Sequence, residues 1–252
     1  MLSATGVRLY GWPVRTEPGL EGAFDAAARR YDLLTGLNPG YHRHLAAAAR
    51  ALAEHLGDPT PDLLDLGCGS GSSTAALLAA APRASVVGVD ASAGMLAEAG
   101  AKAWPPGVRF VHANAQDLPR LGLDPVDGVL AAYLFRNVPA ADRDDVARAV
   151  LEQLRPGGWL VVQEYSVAGR RAAGAVWTAV CWAFVIPLAW LVRGNPGLCV
   201  YLWRSARRFD STDRFSRRLA EAGFTDIARR DVPGWQRGIL HTFRARRPEA
   251  DA

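Results

Sequence analysis

The sequence predicts an α/β fold, a mostly parallel seven-stranded sheet with helices on both faces that finishes in an antiparallel hairpin. Three observations carry this expectation. Between Leu63 and Ala132 short apolar runs alternate with helical stretches, as parallel strands joined by crossover helices do. A glycine-rich turn, GCGSG, joins the first of these runs directly to an Ala- and Leu-rich helix. The chain then closes with an amphipathic helix and two strand-like runs around the turn VPGWQR.

Taken in order, the strands read LLDLG, ASVVGVD, VRFVHAN and VDGVLAAY. One helix is expected from Ser72 to Ala80 and another from Ser92 to Lys102, with Ser92 as its N-cap. A third, from Ala140 to Leu154, leads through the turn signal RPGG into the strand WLVVQEYS. FDSTDRFSRRLAEAGF reads as the amphipathic helix, ended by Gly223, and FTDIARRDV and GILHTFRARR as the hairpin. At 252 residues with 50% hydrophobic content, one domain is expected. Within it, 1–58 forms an N-terminal helical cap, 59–166 the Rossmann-like core, 167–208 an apolar helical insert and 209–247 the closing helix and hairpin.

The formal charge of +4 invites a nucleic-acid reading. Against it, Lys102 is the only lysine, the arginines fall in several segments, and no nucleic-acid-binding motif accompanies them. Cys68, Cys181 and Cys199 are too few and too irregularly spaced for a disulfide framework or a metal site, so buried free thiols and no metal are expected. The first twenty residues hold no apolar run that could be a signal core, which points to the cytoplasm.

The chemistry is concentrated at successive strand ends. Gly67, Gly69 and Gly71 follow a buried strand and precede a helix, where glycine lets the chain turn tightly and a ligand approach the backbone. Their spacing is GxGxG, whereas a pyrophosphate-binding fingerprint runs GxGxxG. Asp65, just ahead of the loop, is placed to meet a cationic amino group, and Cys68 inside it reads as a small packing residue. The second strand ends at Asp90, whose carboxylate can accept both hydroxyls of a ribose; Ala91 and Met95 follow in the same turn. The third ends in HANAQDLP, where Asn114 can meet adenine and Ala115 offers a backbone amide. A ribose carboxylate suits either a nicotinamide dinucleotide or S-adenosylmethionine (SAM). The third element and the loop spacing favour SAM, which has no phosphate to cradle.

These residues resemble the UbiE type of SAM-dependent C-methyltransferase, the family of ubiquinone and menaquinone biosynthesis. The likeness begins at FDAAARRYDLLTGLNPGYHRHL and continues through LLDLGCGSGSST, VGVDASAGML, VHANAQDLP, LFRNVP, LRPGGWLVVQEYS, YLWRS and LAEAGF. It implies a class I methyltransferase fold, SAM as methyl donor and a prenylated quinol as acceptor, methylated at a ring carbon through its phenolate. It places Arg136 and Asn137 at the acceptor, the first to stabilise the oxyanion or orient water, the second to orient the acceptor oxygen. His42 and Tyr31, in the N-terminal segment, are then candidate bases; a surface helix position reads equally well for His42, and packing the cap or closing over SAM reads better than catalysis for Tyr31. Two departures stand out. The family carries a glycine just before Arg-Asn-Val, where this chain reads YLF, and an ungapped match puts Phe243 where the family has a histidine, with His241 two residues away. A secondary metabolite methylated at carbon, oxygen or nitrogen, or a SAM-binding protein without catalysis, are the alternatives these departures keep open.

Between Arg171 and Arg193 runs AAGAVWTAVCWAFVIPLAWLV, uncharged and long enough to span a membrane. Its position between two strands of one sheet argues against a span, because a single crossing would divide that sheet. A lid lining the acceptor pocket is expected, with its greasy outer face and flanking arginines suited to peripheral contact with the inner face of the membrane. The expected partners are thus a hydrophobic small-molecule acceptor and the membrane surface, not nucleic acid, and a homodimer is compatible with the sequence.

Overall fold

The computed structural model describes residues 22, 24–25, 28, 40–191 and 196–250. Its seven strands are β1 (Asp62–Leu66), β2 (Ser85–Asp90), β3 (Val108–His112), β4 (Val126–Ala132), β5 (Leu154–Tyr165), β6 (Thr225–Asp231) and β7 (Leu240–Arg246). They lie in the order β3-β2-β1-β4-β5-β7-β6, with β1 to β5 parallel and β7 antiparallel to both neighbours. The order reverses between β1 and β4, so a crevice opens at the carboxyl ends of these strands, where open α/β sheets bind ligands.

Alternation along the strands assigns the two faces. Leu63, Leu130 and Val161 point to one side, where they pack with Ala48 and Leu52 of α1 (Tyr41–Ala53) and Leu77 of α2 (Ser72–Ala80). Leu64, Leu66, Val129 and Leu160 point to the other and meet α4 (Arg143–Gln153) and a cluster of Phe135, Phe215 and Phe243. Between these, α3 (Ala93–Gly100) lies after β2, with Ser92 capping it: the Met95 amide donates to the Ser92 hydroxyl at 3.1 Å.

Among the described residues the expected strands and helices are present, with one instructive difference, while most of residues 1–39 of the expected N-terminal cap lie outside them. RPGG is not a separate turn but the opening of β5, where the register with β4 shifts between Val126 and Gly128 and Gly157 takes φ of +78°. The bulge is tied down by Arg155, whose guanidinium bridges Asp62 at 2.8 Å and Asp127 at 2.6 Å, and by the Gly157 amide donating to the Arg247 carbonyl. The three cysteines are free and buried, and among the described residues no cluster of potential ligands could hold a metal.

Residues 171–191 form one continuous helix: α5 (Arg171–Val180), a π turn over Cys181–Val185, and α6 (Ile186–Leu191). The wide turn sits just ahead of Pro187, which has no N–H to continue the ladder. A further helix, α7 (Pro196–Arg208), was not anticipated as a separate element. It is followed by α8 (Thr212–Ala222), ended by Gly223 at φ of +107°. The strands that flank this region, β5 and β7, are hydrogen-bonded neighbours with Glu164 opposite His241.

Candidate active site

A cleft of about 250 Å³ opens at the switch point, and its walls bring together most of the residues picked out along the sequence. Gly67, Cys68, Gly69, Asp90, Ala91, Met95, Asn114, Ala115, Arg136 and Asn137 all line it. The glycine loop turns in the left-handed region, with φ of +80°, +53° and +89° at Gly67, Gly69 and Gly71, and Gly71, expected at the cofactor, is not on the cleft wall. At Gly69, an added Cβ would meet nothing within 4 Å, so the backbone itself faces the cleft. At Gly71 the reason for glycine differs: a Cβ would fall 2.7 Å from the Trp104 ring, which is held by its indole N–H donating to the Ala99 carbonyl.

Asp90 is built to present its carboxylate. The Gly69 amide donates to one oxygen at 2.8 Å and the Ser92 amide to the other at 2.9 Å, leaving each oxygen a lone pair for a ribose hydroxyl. Burial pushes its pKa up, while these backbone donors pull it back. Asn114, exposed at the start of a 3₁₀ turn (Ala115–Arg120), keeps its side chain available at the far end. The chemistry of this wall suits SAM: open glycine backbone, a ribose-type carboxylate, an apolar Met95 and an adenine-side amide.

Asp65 corrects the sequence expectation. It is fully buried behind the loop, is absent from the cleft wall, and accepts from the hydroxyls of Ser73 at 2.7 Å and Thr74 at 2.6 Å. Burial pushes its carboxyl up to about 7. Its task here is to lock the glycine loop onto α2 rather than to meet an amino group directly. Lys102 supports the same loop from outside, donating to the Ser70 carbonyl at 2.7 Å.

At the other end of the cleft, Arg136 is nearly buried and held from two sides. Its Nε lies 3.1 Å from Glu164, which is fully buried, and its Nη1 donates to Asn137 Oδ1 at 2.6 Å. Glu164 also accepts from the Arg136 amide at 3.1 Å and the Tyr165 amide at 3.0 Å. Burial raises the Glu164 pKa and the Arg136 charge opposes that rise. The guanidinium is therefore fixed in direction, with donors left over on the cleft side.

A model of a methyltransferase domain matches residues 63–158. The chain is 35% identical over 228 residues to a demethylmenaquinone methyltransferase of Beutenbergia cavernae, covering 90% of each. It is 36% identical over 205 residues to that of Thermus thermophilus, covering 80% of this chain and 91% of the other. The chain belongs to the UbiE family. It is a SAM-dependent methyltransferase. The fold agrees: phosphoethanolamine N-methyltransferase 2 of Haemonchus contortus, in complex with SAM, superposes with a TM-score of 0.63 at 16% identity, over 89% of this chain and 57% of that one.

Within this UbiE-type chain, two of the candidate acceptor groups change meaning. His42 is exposed on α1 and does not line the cleft, so the structure assigns it to the helix surface and not to proton transfer. Its neighbour Tyr41 faces the cleft instead, stacked on Tyr133 at 5.5 Å. Tyr31 lies outside the described residues. Asn137 lines the cleft as expected, but its carbonyl oxygen is taken by Arg136 and by the Tyr201 hydroxyl at 3.1 Å, and its amide donates to the Tyr133 carbonyl at 3.0 Å. One amide N–H remains to orient an acceptor.

Three features had no clear signal in the sequence. Tyr201 comes from α7, in the YLWRS stretch. Asp25 accepts from the Ser92 hydroxyl at 2.5 Å and the Gly94 amide at 2.8 Å, fastening the N-terminal segment to the start of α3, with Phe24 beside it on the cleft wall. Gly94 allows this, since a Cβ would lie 2.9 Å from the Asp25 backbone. The third is a ring column, Tyr41–Tyr133–Tyr165–Trp177, with centroids 5.0 to 5.5 Å apart, that runs from the cleft to the apolar insert. Tyr133 holds its place in it at φ of +60°, a strained value for a non-glycine residue.

Proposed function

We propose that this enzyme methylates a ring carbon of a prenylated quinol of the demethylmenaquinone type. The observation that carries the reading is the guanidinium of Arg136, locked by buried Glu164 and presented, beside Asn137, to a cleft wall that also holds Tyr41, Leu45, Tyr133 and Leu134. A phenolate is the acceptor state that such a fixed cation stabilises, and it is the state in which a quinol ring carbon is nucleophilic. The relatives named demethylmenaquinone methyltransferase support the same acceptor class.

SAM supplies, when bound, a methyl group on a sulfonium sulfur. The glycine loop and Asp90 would hold it so that this methyl faces the acceptor end. Arg136 would stabilise the phenolate oxygen and the remaining Asn137 N–H would orient it. The attacking ring carbon forms its bond to the methyl as the sulfur–carbon bond breaks, and the ring proton then leaves to restore aromaticity. Among the described lining residues Asp90 is the only carboxylate and there is no imidazole, which leaves water, or Tyr31 outside those residues, to take that proton. Most of the catalytic advantage then comes from alignment and electrostatics.

A second reading, a smaller non-quinone acceptor, is favoured by Leu134. Its side chain reaches to within 3.1 Å of where a Gly67 Cβ would stand, filling cleft space between the donor and acceptor ends. Incubation with labelled SAM and chemically reduced demethylmenaquinone, in parallel with a panel of phenolic and prenyl metabolites, separates the two. Turnover of the quinol supports the first; turnover of panel members alone establishes the second.

A further inference from the structure

The helix over residues 171–191 is apolar throughout, with mean hydropathy 1.8, yet only 17% of its most apolar window is buried. One side is fixed to the fold. Trp177, Cys181 and Ala189 are buried, Trp177 stacks on Tyr165 of β5 at 5.0 Å, and its indole N–H donates to the Trp203 carbonyl on α7. The other side is bare. Val176, Trp182, Phe184, Trp190 and Leu191 are exposed, the last three by 70% or more. An outward row of large apolar side chains costs solubility unless something covers it.

Charge identifies what covers it. Between Glu164 and Asp210 the chain has no acidic residue but carries Arg170, Arg171, Arg193, Arg204, Arg207 and Arg208. The formal charge of the whole chain is +4, and this stretch carries its six arginines with no carboxylate among them, so its charge is uncompensated along the chain. Arg171, Arg207 and Arg208 are exposed, and Arg207 lies over the Trp203 ring at 4.8 Å, beside Trp182. At the N-terminal end of the helix, the turn after β6 adds exposed Trp235 and Arg237. Tryptophan and arginine around an apolar stripe are the composition of a helix lying in a membrane interface. The flanking strands β5 and β7 are paired, which keeps the helix on the surface instead of through it.

We propose that this face docks in the plane of an anionic bilayer, with the exposed aromatic row in the acyl boundary and the arginines on lipid phosphates. The ring column from Trp177 to Tyr41 then joins the docked helix to the cleft.

Co-sedimentation of the full chain with vesicles of phosphatidylcholine alone, and of phosphatidylcholine with phosphatidylglycerol, tests this. The protein should pellet with the anionic vesicles and release in high salt. Each exposed arginine near the surface contributes a factor of roughly five, so R171Q/R207Q should weaken partitioning by at least about tenfold. F184S/W190S should weaken it as much, while SAM affinity and the melting temperature stay at wild-type values. Wild-type protein that ignores anionic vesicles overturns the proposal. So does binding that survives both double substitutions, or a stable dimer in sedimentation velocity that F184S/W190S disperses, since the face would then belong to a second copy of the chain.

Discussion

Replacing Glu164 with glutamine tests how the acceptor end is held. The carboxylate is fully buried and makes three polar contacts: Arg136 Nε at 3.1 Å, the Arg136 amide at 3.1 Å and the Tyr165 amide at 3.0 Å. Removing one partner of a buried ion pair costs ~3–5 kcal/mol, because the other charge is left uncompensated. Glutamine keeps one acceptor oxygen but sets an NH₂ against donors, so the loss should fall near the lower end, about 3 kcal/mol. At ~2–4 °C per kcal/mol for a chain of this size, the melting temperature should drop by roughly 6–12 °C. Methyl transfer should fall further than stability requires. A transition-state donor that loses its orientation typically costs on the order of 100-fold in rate. SAM affinity, measured by calorimetry on the folded variant, should be unchanged, since Glu164 does not line the cleft. E164Q melting within about 1 °C of wild type and turning over normally would refute the reasoning, as would a loss of SAM binding equal to the loss of rate.

Asp90→Ala removes the carboxylate that both the Gly69 and Ser92 amides hold, and SAM binding should weaken by roughly 100-fold, from two charged hydrogen bonds at ~1.5–3 kcal/mol each less what water recovers. His42→Ala should leave kcat and KM unchanged in the methyl-transfer assay, because the side chain is exposed and away from the cleft. Burial holds the His241 imidazole below its ordinary range, against the pull of the Ser166 carbonyl and Asp231. The unfolded chain therefore takes up a proton first as pH falls through about 6.5, and stability should decline below that pH. Melting curves of His241→Gln against pH should lose that segment of the slope. The three thiols, all buried and all pushed upward in pKa, should resist a thiol reagent at pH 8 and react only on unfolding.

The donor half of the site was legible in the sequence because its chemistry is local. Strand, turn and helix follow one another, and the glycines, Asp90 and Asn114 each need only the residues beside them. Asp65 belongs to the same motif yet faces inward, because its position on β1 puts the side chain under α2, where Ser73 and Thr74 meet it. The acceptor half was legible only through Arg136 and Asn137. Glu164 has no local signal for its role, which register creates by putting the ends of β4 and β5 side by side. Tyr201 and Asp25 depend on contacts across 64 and 67 residues, which periodicity and spacing do not encode. The same limit explains His42 and Tyr41. Adjacent residues on a helix differ by 100° in direction, and only packing chooses which of them meets the cleft.

In the proposed reaction the methyl group goes from SAM to a ring carbon of a quinol. The most direct measurement uses SAM carrying a ¹³C methyl group with reduced demethylmenaquinone and locates the label in the product by NMR. A single labelled methyl bonded to a ring carbon is predicted. A methoxy signal, or recovery of unmethylated quinone under conditions where the enzyme binds SAM, would contradict it.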